Sequence, residues 1–136
     1  MKPKAIVCDI HNTVLIPEKN DKPINNVIEF LKEHASTHKI IMMTASPEKD
    51  RAEVTNDLRE LNIPFDEIIM NKLNEDSEDY KYDAMKELLN KYDIILFIDN
   101  KKENRQAAKK LGIRTKKPEN ISNKILTKTV WSGIFI

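Results

Sequence analysis

Residues 5–13 read Ala5-Ile6-Val7-Cys8-Asp9-Ile10-His11-Asn12-Thr13, four apolar side chains running straight into a carboxylate. A short apolar run with no polar face has the form of a strand buried on both sides, as in the centre of a parallel sheet. Asp9 then stands where that strand ends. Outward from it the same grammar repeats. Lys39 to Met43 forms a second strand running into Thr44, Glu67 to Met70 a third, and Ile94-Ile95-Leu96-Phe97-Ile98 a fourth running into Asp99. Ile113 to Thr115 supplies a fifth, at an edge. Helical patterns lie between. Pro23 opens one that carries Val27, Phe30 and Leu31; Ser46-Pro47 starts the next, with Ser46 as cap and Val54, Leu58 and Leu61 inward. A third helix runs from about Tyr80 with Met85, Leu88 and Leu89 inward, after a polar, acidic loop from Asn71 to Asp79. A fourth spans Glu103 to Leu111 and is closed by Gly112, which suits the left-handed position past a helix end. Strands alternating with helices predict an α/β class: a three-layer Rossmann-like fold on a five-stranded, mainly parallel sheet.

A length of 136 residues suits one domain, residues 1–136, and leaves little room for a second. Residues 116–136 read as a C-terminal tail whose closing apolar residues, Val130-Trp131 and Ile134-Phe135-Ile136, pack onto the domain or a partner. With 33% charged residues yet a net charge of +1, the surface is heavily charged but exerts no overall pull toward nucleic acid or membrane. A local patch is still open to that role. Cys8 is the one cysteine, so it forms no internal disulfide. It reads as a small buried hydrophobe, with a reactive thiol as the sharper alternative. No apolar run approaches the roughly 18 residues of a membrane span, and the N-terminus lacks the order of a signal peptide. Cytoplasmic residence is the expectation, with no membrane partner; the oligomeric state is open.

In an open parallel sheet the loops at the carboxyl ends of the strands line the ligand crevice. The polar residues placed there are Asp9-Ile10-His11-Asn12-Thr13, Thr44-Ala45-Ser46 and Asp99-Asn100-Lys101-Lys102-Glu103, with Lys81 near the start of the helix before strand four. Each has a bland explanation when taken alone. Asp at a strand end forms turns, Thr and Ser cap helices, and lysines are solvated. Their order along alternating elements is what departs from chance.

This order resembles the haloacid dehalogenase superfamily of aspartate-based phosphohydrolases, over about Ala5 to Ile113. The family's first motif, Asp-x-Asp-x-Thr, is matched by Asp9-Ile10-His11-Asn12-Thr13, and its second by Ile40-Ile41-Met42-Met43-Thr44. Its lysine is matched best by Lys81, with Lys86 as the fallback, and its acidic fourth motif by Phe97-Ile98-Asp99-Asn100 with Glu103 beyond. The resemblance implies that Asp9 is a nucleophile forming an aspartyl phosphate. It implies Mg²⁺ held by Asp9, Asp99 and the main-chain carbonyl of His11, with Asn100 or Glu103 reaching the metal through water. Thr44, with Ala45 beside it, would bind a phosphoryl oxygen, and Lys81 would balance charge in the transition state.

His11 is where the match breaks, because the family's general acid and base there is Asp. A histidine can do acid–base work. His11 is thus a working substitute, the mark of a slow or inactive phosphatase kept for binding, or a changed residue. His34 and His38 read as residues at the end of the first helix, away from the crevice. The gaps from Thr13 to Met43 and from Thr44 to Lys81 hold no cap domain; the resemblance to capless members of that superfamily implies an open crevice, which in such relatives often takes macromolecular ends or phosphoproteins. The motif order and the stretch Lys81 to Asn100 are similar to the phosphatase half of bacteriophage polynucleotide kinases, implying a phosphorylated substrate such as a 3′-phosphate on a nucleic-acid end. The kinase half's Gly-x-x-x-x-Gly-Lys-Ser/Thr loop is absent from the sequence. The basic stretches Lys101-Lys102, Lys109-Lys110 and Arg114 to Lys117 could meet a phosphate backbone, though a solvated face explains most of them. The rivals are a small-molecule nucleotidase, a catalytically degenerate binding protein and a signalling receiver domain. The receiver fits poorly because its Thr and acceptor Asp follow other strands.

Overall fold

In β1 (Lys4–Cys8) every residue after Lys4 is buried, and successive side chains enter two different cores. Ile6 and Cys8 join Ile40, Met42, Leu96 and Ile98 on one face; Ala5 and Val7 join Ile41, Met43 and Phe97 on the other. That alternation is the two-residue period of a strand, and burial on both faces explains the unbroken apolar run. The computed structural model describes residues 1–122. Its further elements are β2 (Leu15–Ile16), β3 (Lys22–Pro23), α1 (Asn25–His34), β4 (Lys39–Pro47), α2 (Arg51–Glu60), β5 (Glu67–Asn71), α3 (Ser77–Leu88), β6 (Asp93–Ile98), α4 (Lys102–Lys110) and β7 (Thr115–Lys116). Val27 and Leu31 of α1 and Val54 and Leu58 of α2 cover the first face. Tyr80, Met85 and Leu88 of α3 and Ala108 of α4 cover the second. Each fully buried large apolar side chain contributes about 1.5–3 kcal/mol. The three layers follow.

The main sheet has the order β5-β4-β1-β6-β7, and every pairing in it is parallel. Counted in order of appearance, its strands lie 3-2-1-4-5. A receiver domain is ordered 2-1-3-4-5, so topology excludes that rival. The chain first builds outward from β1 to one side and then crosses to the other, so the order reverses between β1 and β6. Ligands of open α/β sheets bind at such a switch point. Asp9 and Asp99 follow those two strands.

Several expectations need correction. Pro23 does not open a helix: it ends β3, which pairs antiparallel with β2 in a small hairpin, and Ile24 N–H donates to Val14 O at 2.8 Å. Proline is tolerated because such a hairpin edge needs no donor there. α1 starts later, at Asn25. Ser46 is no helix cap, since β4 continues to Pro47, which pairs with Asn71 after a register shift, and a short 3₁₀ turn precedes α2. α3 begins at Ser77, so its first turn takes the acidic residues Glu78 and Asp79 that read as loop. Acids suit a helix N-terminus. α4 begins one residue earlier than expected, and the edge strand lies two residues later, at Thr115–Lys116.

Between β1 and β4 lie the hairpin with its 3₁₀ turn and α1, and between β4 and α3 a 3₁₀ turn, α2 and β5, so neither gap holds a cap domain. Ile121 is buried in the first core, and Asn26 Nδ2 donates to the carbonyls of Pro118 and Ile121 at 2.8 and 3.0 Å. The expected packing of Val130 to Ile136 lies outside the described residues. No helix among the described residues is long and apolar enough to cross a membrane.

Candidate active site

The site begins with Asp9, whose N–H donates to Ile98 O at 2.9 Å, carrying the β1–β6 ladder one residue past the strand. Beyond it the chain turns sharply. Thr13 and Val14 N–H groups both donate to Ile10 O, and Asn12 takes the left-handed conformation, φ 63°. Asparagine tolerates that region better than most residues. The turn brings Thr13 back to Asp9, where its Oγ1 donates to Oδ2 at 2.8 Å.

Lys81 completes the centre. It lies in α3, is 1% exposed, and its Nζ donates to Asp9 Oδ1 and to Asp99 Oδ2, both at 2.7 Å. Lys86, the fallback, is exposed. Asp99 is fully buried and its lone pairs are heavily used. Oδ1 accepts from the Lys101 N–H at 2.8 Å, Oδ2 also accepts from Asn104 Nδ2 at 3.1 Å, and its carbonyl accepts from Arg105 Nη1 at 2.9 Å. Burial pushes the Asp99 carboxyl above its usual range, Asp9 adds to this, and Lys81 opposes it. Burial alone would lower Lys81, yet the Asp9 and Asp99 carboxylates outweigh it and hold its ammonium above the ordinary lysine value. Two carboxylates thus share one cation.

Asp9 and Lys81, but not the fully buried Asp99, line a crevice of about 290 Å³ together with His11, Asn12, Thr44, Ala45, Ser46, Ser77, Asn100, Lys101 and Asn104. Thr44 is buried; its Oγ1 donates to Ser46 Oγ and accepts from Ser46 N–H, each at 3.2 Å. The expected residues Asp9, His11, Thr44, Ala45 and Lys81 therefore line one cavity, with Asp99 directly beneath through Lys81. Glu103 does not line it, and Asn100 does. His34 stays apart, its ring against Phe30 and its Nδ1 paired with Phe30 O at 2.9 Å. A larger groove of about 710 Å³ lies between β5 and α3, but it holds no such set of converging groups.

Two residues escaped the reading of the sequence. Asn104, 2% exposed, links Asp99 to Ser77, with Asn104 Nδ2 and Ser77 Oγ 3.2 Å apart, and so ties α4 to the start of α3. The only signal was its place in the first turn of α4, five residues past Asp99. Ser77 was hidden inside what read as a loop.

The donor set fits a hard divalent cation such as Mg²⁺. Both carboxylates are hard oxygen donors; Asp9 reaches the crevice, whereas Asp99 is fully buried and its oxygens already accept from Lys81, Asn104 and the Lys101 N–H. Among the described residues no cluster of three His, Cys, Asp or Glu side chains stands ready to enclose a metal.

Comparison with solved structures finds the same fold elsewhere. A chain of the Pnkp1/Rnl/Hen1 complex superposes with a TM-score of 0.75 at 20% identity, over 85% of this chain and 46% of that one. A chain of the Pnkp1/Rnl/Hen1 RNA repair complex gives 0.73 at 19%, over 85% and 42%. The core domain of a candidate phosphoglycolate phosphatase from Streptococcus pneumoniae TIGR4 gives 0.56 at 14%, over 86% and 80%. The likeness, at 20% identity or less, is one of fold: the three-layer α/β arrangement on a parallel sheet recurs in these chains. The chain spans less than half the length of the first two. No protein-family model and no curated protein matches the sequence.

Proposed function

We propose that the chain is a Mg²⁺-dependent phosphohydrolase that works through an aspartyl phosphate on Asp9. The observation that carries this reading is the Asp9 carboxylate, fixed by Thr13 and Lys81 at the floor of an open crevice and 7% exposed. Asp9 attacks phosphorus and the bond to the leaving oxygen breaks. His11, which lines the same crevice, gives that oxygen a proton, then as neutral imidazole takes one from water. The water oxygen bonds to phosphorus, Asp9 leaves as carboxylate, and phosphate is released. Thr44 and the main chain beside Ala45 hold the phosphoryl oxygens, while Lys81 orients the Asp9 carboxylate through its 2.7 Å ion pair and balances developing charge. Asp9, Asp99 and the His11 carbonyl would hold Mg²⁺, which when bound offsets the repulsion between carboxylate and phosphate.

For the substrate, the uncapped crevice and a structural neighbour that is an RNA repair complex favour a 3′-phosphorylated nucleic-acid end over a free nucleotide. The test is a Mg²⁺-dependent phosphatase assay on 3′-phosphorylated oligonucleotides, mononucleotides and p-nitrophenyl phosphate. Asp9→Asn is expected to lower turnover by about 10³-fold or more, and His11→Ala by about 10²-fold. Full activity in Asp9→Asn sinks the mechanism, and equal activity on mononucleotides favours a nucleotidase. His11 in a carboxylate's place favours one second reading, a binding protein with a degenerate site. Absent turnover that appears on His11→Asp would establish it.

A further inference from the structure

The two flanks of the crevice carry opposite charge. β6 and β7 are neighbours, with Ile98 opposite Lys116 and the Asp99 N–H donating to Lys116 O at 3.3 Å. Residues leaving these strands at the carboxyl edge therefore emerge side by side, and they are Lys101 and Lys102, then Lys116 and Lys117. Three are exposed and Lys116 is half-buried. Glu103 and Glu119 are the acids on this flank, and among the described residues no ion pair engages any of the four lysines. The opposite flank, from the end of β5 into α3, sets Lys72 against Glu75, Asp76, Glu78 and Asp79. Both flanks reach the site, because Lys101 and Ser77 line the same crevice.

A lone phosphate monoester needs only the crevice floor. A longer polyanion meets the whole gradient, repelled over the start of α3 and attracted over the ends of β6 and β7. We infer that the crevice takes the end of a nucleic-acid strand whose preceding phosphates run over Lys102, Lys116 and Lys117, away from α3. This rests on the phosphohydrolase reading and the nucleic-acid substrate proposed above, and adds to them the path of the strand and the residues that hold it. Lys109 and Lys110 take no part. They close α4 at the end opposite Lys102, where cations favour the helix terminus.

The test pairs Lys102→Glu/Lys117→Glu with Lys109→Glu/Lys110→Glu as control, in the full chain with Mg²⁺. Turnover is measured on a 3′-phosphorylated oligonucleotide and a 3′-mononucleotide. Binding of a fluorescent oligonucleotide is followed across salt concentrations, independently of turnover. The rim pair is expected to lower oligonucleotide kcat/KM about tenfold at low salt through KM, and to reduce the salt slope by about 1.4, as for two single-strand phosphate contacts. Mononucleotide turnover and the control pair should be unchanged. Oligonucleotide binding indifferent to the rim pair, or equally weakened by the control, overturns the strand path while mononucleotide turnover leaves the phosphohydrolase reading intact. Rim-dependent binding with no turnover of any phosphate sinks the phosphohydrolase reading instead. Equal, rim-dependent binding of a phosphopeptide of matched charge would assign the flank to protein substrates and also overturn the strand path.

Discussion

Lys81 is among the largest side chains buried completely in the described residues, and it is buried between two carboxylates. Removing its charge leaves Asp9 and Asp99 facing each other, so Lys81→Met is expected to cost about 3–5 kcal/mol in urea unfolding at neutral pH. Acidification should shrink that loss, because burial and Asp9 already favour a proton on Asp99. The alkaline side has the opposite cause. The folded value of Lys81 lies above the ordinary 10.5, so its stabilisation is fully present below 10.5 and lost as pH rises through the folded value. The gap between wild type and Lys81→Met should therefore hold from neutrality to 10.5 and close above it. A gap that closes between neutrality and 10.5 would contradict the pairing. Lys81 was legible in the sequence only through its resemblance to a motif; nothing local separates it from Lys86 until α3 turns one inward and the other outward.

Gly112 shows how far local chemistry reaches at the scale of elements. Its φ of +80° and the Gly112 N–H to Lys109 O bond of 2.9 Å end α4 as its position in the sequence predicts. Nothing stands where a Cβ would go, so Gly112→Ala should cost about 1 kcal/mol from backbone strain alone, measured as a shifted urea midpoint with unchanged slope. The long strands were equally legible, since apolar runs such as Ile94 to Ile98 need no partner to be recognised. The β2–β3 hairpin was not. Strands of two residues carry no periodicity, and Pro23 in that setting reads as a helix start. The extension of β4 to Pro47 likewise depends on pairing with Asn71, a contact that sequence spacing cannot display.

At the scale of the whole molecule, topology turns scattered residues into a site. Asp9 and Asp99 were legible because they follow apolar strands, and Thr44 because it ends an apolar run, although β4 itself continues past it to Pro47. Asn104 and Ser77 were not, because their roles exist only once α3 and α4 pack together. Mg²⁺ should stabilise the fold by binding it and not the unfolded chain, by about 2.7 kcal/mol at a hundredfold excess over Kd, and EDTA should reverse this. Asp99→Asn should abolish the gain in thermal unfolding; a gain that persists would remove Asp99 from the metal set. The central claim is that Asp9 itself carries the phosphoryl group, and it is tested most directly by acid-quenching the chain during turnover of a ³²P-labelled phosphate ester. The expected result is a hydroxylamine-labile label on the peptide containing Asp9, absent from Asp9→Asn. Phosphate released with no labelled chain, or a label on another residue, would contradict it.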